Sequence, residues 1–289
     1  MFHPEKQYLK LVSNIIKHGS KEVGRNGTTY SQIGASMRFP LDNKQIPILT
    51  TKKVAWKSCL RELSWFIKGD TDNTNLQKQN VKIWNGNATR EFLDSRNLHH
   101  LKENDMGPIY GYQWRFFNAE YSNNKTNYMG KGIDQLQKII DTLKSEERSS
   151  RRLIMTAWNP IQIDDMALPP CHILSQFHVT NGNELSCSLY QRSGDVGLGI
   201  PFNIASYSFL THIIAKHCDL KPKEFIHHIG NAHIYDDHVD SLKEQVKRQP
   251  FPFPTIDLER MDNINDYDIN NINIYNYDFH DAIKMKMRV

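Results

Sequence analysis

Apolar positions at helical spacing mark out the first elements of the chain. Across residues 4–18, Leu11, Val12, Ile15 and Ile16 share one stripe, and Gly19 supplies the stop. Residues 52–68 repeat the pattern with Cys59, Leu60, Leu63, Phe66 and Ile67, ended by Gly69. Glu62 lies at the edge of that stripe, where a carboxylate either reaches solvent or is held inward by hydrogen-bonding partners. Helices are also expected over 132–145, with Ile133, Leu136, Ile139, Ile140 and Leu143, and over 204–217, with Phe209, Leu210, Ile213 and Ile214. A further one spans 236–248, before Pro250.

Other stretches lack that period. "GRNGTTY" at 24–30 reads as a turn-rich loop, and residues 80–130 as a loop-rich aromatic region. The arginines of "RSSRRLIMTAW" lead into an apolar strand, and "ILSQFHVTNGNELSCSLYQRS" is two strand-like stretches about Asn181-Gly182, a strong hairpin signal. Residues 261–278, rich in Asn, Asp, Ile and Tyr, favour a surface excursion, with edge strands as the alternative. With no internal repeat and no linker, one α+β domain is the simplest arrangement.

Composition narrows the class. At 39% hydrophobic and 24% charged residues, the 289-residue chain is that of a soluble globular protein. No apolar run is long enough to span a bilayer, and "MFHPEKQYLK" lacks a signal-peptide pattern, so a cytoplasmic protein is expected. The four cysteines, Cys59, Cys171, Cys187 and Cys218, are widely spaced and expected to be reduced thiols. His212–His217 and His233–His238 miss the four-residue spacing of two ligands on one helix face, so no metal is expected. A net charge of +4, spread along the chain, suits a small anion and does not argue for nucleic acid.

The candidate chemistry centres on "ALPPCH", residues 167–172. A two-residue turn at Asn181-Gly182 pairs residues whose numbers sum to 363, which sets Cys171 opposite Arg192. A guanidinium there favours the thiolate and lowers the thiol pKa. The plainer readings are a buried cysteine packing as a small hydrophobe and an arginine ending a strand at the surface. Arg25, the adjacent Arg151 and Arg152, and Arg192-Ser193 have the donor types that fork onto a phosphate; separate solvated arginines are the alternative.

The order of motifs resembles the thymidylate synthase family over nearly the whole chain. The matching blocks are "ELSWFIKGDT" (62–71), "GPIYGYQWR" (107–115), "SRR" (150–152), "LPPCH" (168–172), "QRSGDVGLGIPFNIASY" (191–207) and "HIYDDH" (233–238). The resemblance implies a single α+β domain over 1–289, a large mixed β-sheet flanked by helices, and a sheet face forming a homodimer interface. It implies reductive methylation of dUMP to dTMP, with 5,10-methylenetetrahydrofolate giving the one-carbon unit and the hydride.

Residue by residue, the resemblance makes Cys171 the nucleophile at C6 of the pyrimidine. It makes Glu62, Tyr110 and His172 its proton-transfer neighbours, and Asn203 the reader of the base. An amide can donate to O4 of uracil and accept N3–H together. It assigns the nucleotide phosphate to Arg25, Arg192 and Ser193, with Arg151 and Arg152 reaching across from the other subunit. His233 and Tyr235 match sugar-binding positions. Asp195, Ile83, Trp84, Gly199, Phe202 and Val289 match the folate side, Asp195 also bordering the nucleotide. The chain departs from the family at Asn26, at Asn85 and Asn231 where Asp is common, and at Phe279 and Asp281 where prolines are usual. A pyrimidine hydroxymethylase on the same fold is the nearest alternative. RNA binding is at most a side activity, since no basic and aromatic stripe is present.

Overall fold

A computed structural model describes residues 3–24 and 26–288; the expectations for Arg25 and Val289 fall outside them. In chain order the elements are α1 (Lys6–His18), β1 (Ser20–Gly24), β2 (Gly27–Pro40), α2 (Trp56–Ile67), α3 (Asn73–Gln77), α4 (Arg90–Ser95), α5 (Tyr110–Phe116) and α6 (Gln135–Leu143). There follow β3 (Ile154–Thr156), β4 (His172–Thr180), β5 (Glu184–Asp195), α7 (Gly199–His217), β6 (Lys221–Tyr235), α8 (Val239–Gln245), β7 (Thr255–Leu258) and β8 (Ile272–Tyr275). The six-stranded sheet runs β1-β2-β6-β5-β4-β3, with β5 and β6 parallel and the other pairs antiparallel. It is the expected mixed sheet of an α+β fold.

The apolar stripes point inward as their spacing requires. Leu11, Val12 and Ile15 of α1 are buried, as are Cys59, Leu60, Leu63, Phe66 and Ile67 of α2. Helix α7 is buried on nearly every side, which suits its central position against β5 and β6.

Several expected boundaries shift, each for a tertiary reason. Helix α2 begins at Trp56 rather than 52 because the residues before it serve distant partners. The buried Glu5 carboxylate accepts from the backbone and hydroxyl groups of Thr50 and Thr51, and the Lys52 ammonium turns inward to the Gly197 carbonyl. Ile133 is not on a helix: it bridges Phe117 and is 44% exposed, and Asp134 caps α6 behind it through Gln137 N–H. The 24–30 stretch is largely strand, the tip of the β1–β2 hairpin. A turn of 3₁₀-helix over Asp236–His238 precedes α8. In residues 261–278 the edge-strand alternative holds, in a two-stranded ribbon that stays largely at the surface. Strand β8 pairs with β7, and Ile264, Tyr267 and Ile272 are buried against the core.

Candidate active site

The β4–β5 hairpin delivers Cys171 and Arg192 together by a route the sequence hides. Its turn holds three residues, with Asn181 and Gly182 at φ of 50° and 80°, so Thr180 pairs with Glu184 and the register runs one residue from expectation. A bulge between His172 and Leu174 removes the offset, and His172 pairs with Gln191. The two departures cancel. Arg192 N–H donates to the Cys171 carbonyl at 2.8 Å, and the guanidinium Nη2 is 3.8 Å from Cys171 Sγ.

The prolines of "ALPPCH" hold the guanidinium. Arg192 Nε donates to the Pro170 carbonyl at 2.9 Å and Nη2 to the Pro169 carbonyl at 3.1 Å, and the group lies 5.8 Å from the Trp158 ring centre. These anchors are neutral, so the positive charge stays available to a thiolate or an anion. The expected net lowering of the thiol pKa is not what results. Burial pushes the Cys171 thiol up, and Arg192 and Tyr110 offset this only in part.

Around the thiol stands a closed set of aromatic and titratable groups. Tyr110, at the start of α5, accepts from Cys171 N–H through its hydroxyl at 2.8 Å and stacks on His172 at 4.2 Å between ring centres. His172 Nδ1 is 2.8 Å from the Tyr207 hydroxyl; burial holds its pKa down to about 3, so the imidazole is neutral. Glu62 takes the inward alternative. Trp84 Nε1 donates to its Oε1 at 2.8 Å, and burial raises its pKa to about 7.

Asn203 sits one turn into α7, and its orientation is set by residues the sequence reading missed. Gln191 Nε2 donates to Asn203 Oδ1 at 3.0 Å and to the Ser193 carbonyl at 3.0 Å. Gln191 Oε1 must then accept from His227 Nε2, 2.9 Å away. Burial lowers the His227 pKa to about 3, which leaves one ring proton, and the geometry places it on Nε2. Strand alternation is the signal that could have found Gln191, since it faces away from Arg192 and toward α7.

The parallel β5–β6 pair aligns Ser193 with Asn231 and Asp195 with His233. His233 and Tyr235 meet edge to face at 5.5 Å. Asp195 accepts from Gly197 N–H at 2.8 Å, and this turn is pinned further by Tyr8, whose hydroxyl donates to the Val196 carbonyl at 2.9 Å. Lys52, on the Gly197 carbonyl, is also absent from the sequence reading; burial lowers its pKa to about 8. Ile83 is half-buried beside the buried Trp84, Gly199 opens α7, and the Phe202 carbonyl accepts from Cys59 Sγ at 3.4 Å.

Arg151 and Arg152 are not brought to this cluster within one chain. Both are exposed ahead of β3, and the Arg151 carbonyl accepts from Gln176. Gln176 is five positions from Cys171, roughly 17 Å along a strand. Among the described residues no group of three or more His, Cys, Asp or Glu is arranged to hold a metal ion, and no helix is long and apolar enough to cross a membrane.

Three of the departures make local contacts. Asn85 uses its oxygen as an acceptor from Asn73 Nδ2 at 3.2 Å and Gln77 Nε2 at 3.1 Å, a role a carboxylate would fill equally. Phe279 packs on Tyr277 under the Lys53 ammonium, and the Asp281 carbonyl accepts from Arg248.

A family model described as thymidylate synthase matches residues 6–289. The thymidylate synthase of Ascaris suum is 51% identical over 288 residues, covering 99% of this chain and 97% of that protein. The bifunctional dihydrofolate reductase-thymidylate synthase of Plasmodium chabaudi is 51% identical over 287 residues, 99% of this chain and 49% of its own length. A putative bifunctional protein of Oryza sativa is 50% identical over 289 residues, 99% of this chain and 58% of its own. The chain thus spans about half the length of these bifunctional relatives.

Proposed function

The chain belongs to the thymidylate synthase family, and on that premise we propose that it converts dUMP to dTMP, with 5,10-methylenetetrahydrofolate as the co-substrate. Residues 1–289 act as one thymidylate synthase domain, working in the cytoplasm as part of dTMP biosynthesis. The observation that carries the reading is the pairing of Cys171 with Arg192, a thiol 3.8 Å from a guanidinium whose other contacts are neutral.

In this reading the Cys171 sulfur adds to C6 of the pyrimidine, which makes C5 electron-rich and able to attack the one-carbon unit. Arg192 stabilises the thiolate against the opposing effect of burial. The folate supplies that carbon and the hydride that completes the methyl group. Glu62, with its pKa near neutrality, is suited to take and return protons at the base. Tyr110 and neutral His172 fix the chain beside the sulfur. Asn203 reads the uracil edge. Its oxygen is already oriented by Gln191, so its N–H₂ is directed to an acceptor such as O4, and cytosine would leave that donor unmatched.

Ser193, His233 and Tyr235 border the nucleotide, and Arg25 joins Arg192 at its phosphate. Asp195, Ile83, Trp84, Gly199, Phe202 and Val289 form the folate side. A second copy of the chain completes the phosphate site with Arg151 and Arg152 of the partner subunit. Two features support the dimer: those arginines cannot reach Arg192 within their own chain, and the sheet face opposite α7 presents Ile154 and Tyr190, 43% and 45% exposed.

The test is purified protein with dUMP and methylenetetrahydrofolate, following dihydrofolate by its absorbance. Dihydrofolate is expected, and Cys171→Ser should abolish it while dUMP binding persists. Moderate turnover by the serine variant would overturn the role of Cys171. A product stream that leaves tetrahydrofolate would replace the methylase by a hydroxymethylase.

A further inference from the structure

Residues 276–288 have no regular structure, yet they are tied down at successive points. His280 N–H donates to the Thr50 carbonyl at 2.8 Å, Arg248 Nη1 donates to the Asp281 carbonyl at 2.8 Å, and Ser241 Oγ donates to the Lys284 carbonyl at 3.3 Å. Met285 then packs where a side chain at Gly197 would stand, its sulfur 3.1 Å from that Cβ position. His238 Nε2 donates to the Lys286 carbonyl at 2.8 Å.

The last tie is ionic. Arg288 Nη2 is 2.7 Å from Asp237 Oδ2 and 3.9 Å from Asp236 Oδ1. Its guanidinium lies 5.8 Å from the Tyr235 ring centre, and its Nη1 is 3.8 Å from the Cβ position at Gly27. Three parts of the site therefore meet at this tail: the Asp195–Gly197 turn under Met285, Tyr235 beneath Arg288, and the tip of the β1–β2 hairpin. The fully buried His238 side chain links them, with Nδ1 3.7 Å from Asp195 Oδ1 and Nε2 on the tail.

We propose that Asp237 and Arg288 are positioning residues, an ion pair that holds the tail against Tyr235 and the Asp195–Gly197 turn and thereby keeps the folate side of the pocket formed. The proposal rests on the reading of Asp195 as a folate contact. Neither residue touches the reacting atoms. Arg288 sets Tyr235 through its face, and the Arg288–Asp237 pair sets the Asp195–Gly197 turn through Met285 and His238.

Two measurements on the full chain separate this proposal from the reading it rests on. The first needs no substrate: amide hydrogen exchange over 284–288 in the parent, Arg288→Asp, Asp237→Arg and the double swap. An exposed pair of this kind should slow local opening by roughly two- to fivefold, so each single variant should exchange faster by that factor and the swap should recover most of it. High salt should speed exchange in the parent and slow it in the single variants, where it screens the new like-charge repulsion. The second is kinetic: KM for methylenetetrahydrofolate should rise roughly two- to fivefold in each single variant, with kcat within about twofold. Unchanged exchange in the singles, or a swap no better than either, overturns the latch. Faster exchange with an unchanged KM overturns its positioning role, whereas absence of dihydrofolate formation in the parent overturns the proposed reaction and leaves the exchange result standing.

Discussion

Two ionisable groups at this site are displaced by the same cause, and the consequences differ. Burial raises both Cys171 and Glu62. The thiol has a cation beside it and, in the proposed reaction, needs the charged form to add to the pyrimidine. Glu62 has one neutral donor, Trp84 Nε1, and rests near the midpoint of its titration at neutral pH. Its carboxyl stands at about 7 in the fold against 4.5 for an ordinary glutamate. Between those values the folded chain holds a proton that the unfolded chain has released, so stability falls as pH rises through that window. The difference is on the order of 3 kcal/mol once pH exceeds 7. Glu62→Gln should therefore match the parent in urea denaturation near pH 4 and exceed it at pH 8, while turnover drops about a hundredfold or more. Parallel stability curves for the two proteins would show that Glu62 does not carry its proton into neutral pH.

At the scale of elements, what the sequence disclosed was local, and what it concealed depended on partners far along the chain. The stripes of α1, α2 and α7 were legible because burial on one helix face imposes its own period, as Leu11, Val12 and Ile15 show. The pairing of Cys171 with Arg192 was legible by a cancellation, since neither the third turn residue nor the bulge leaves a mark in composition. Gln191, His227 and Lys52 were missed because each is identified only by what it contacts across the fold. The packing of α5 on α2 is of this kind. A Cβ at Gly111 would lie 2.4 Å from the Phe66 carbonyl oxygen and 2.6 Å from its Cα, and both are backbone atoms that cannot rotate away. Gly111→Ala must push α5 off α2, and with it Tyr110 from Phe66, its ring neighbour at 4.9 Å. A loss of about 2 kcal/mol or more is expected in denaturant unfolding, with turnover falling further than stability alone would explain. An alanine variant of parental stability would mean that this contact can relax.

Across the whole molecule, the sheet has one face covered and one face bare. Helices α1 and α7 lie on one side. On the other, the register aligns Ile154 with Gln176 and Gln176 with Ser188, and Tyr190 stands two positions further along the same face. A second copy covering that face would be isologous, so whatever one subunit gives to its partner it also receives. That symmetry makes the proposed sharing of the phosphate site testable without a structure of the dimer. Cys171→Ser retains both arginines but no nucleophile, and Arg152→Glu retains the nucleophile but spoils the arginine it lends. In a mixed dimer the site holding Cys171 receives an intact Arg152 from the serine subunit, and the other site is doubly defective. Random exchange at equal amounts makes about half of all dimers mixed, so about a quarter of the sites should recover. Activity should rise as the subunits exchange and reach a maximum at equal proportions. If the arginines served their own subunit, every mixture would stay inactive, because no chain would carry both an intact cysteine and an intact arginine pair.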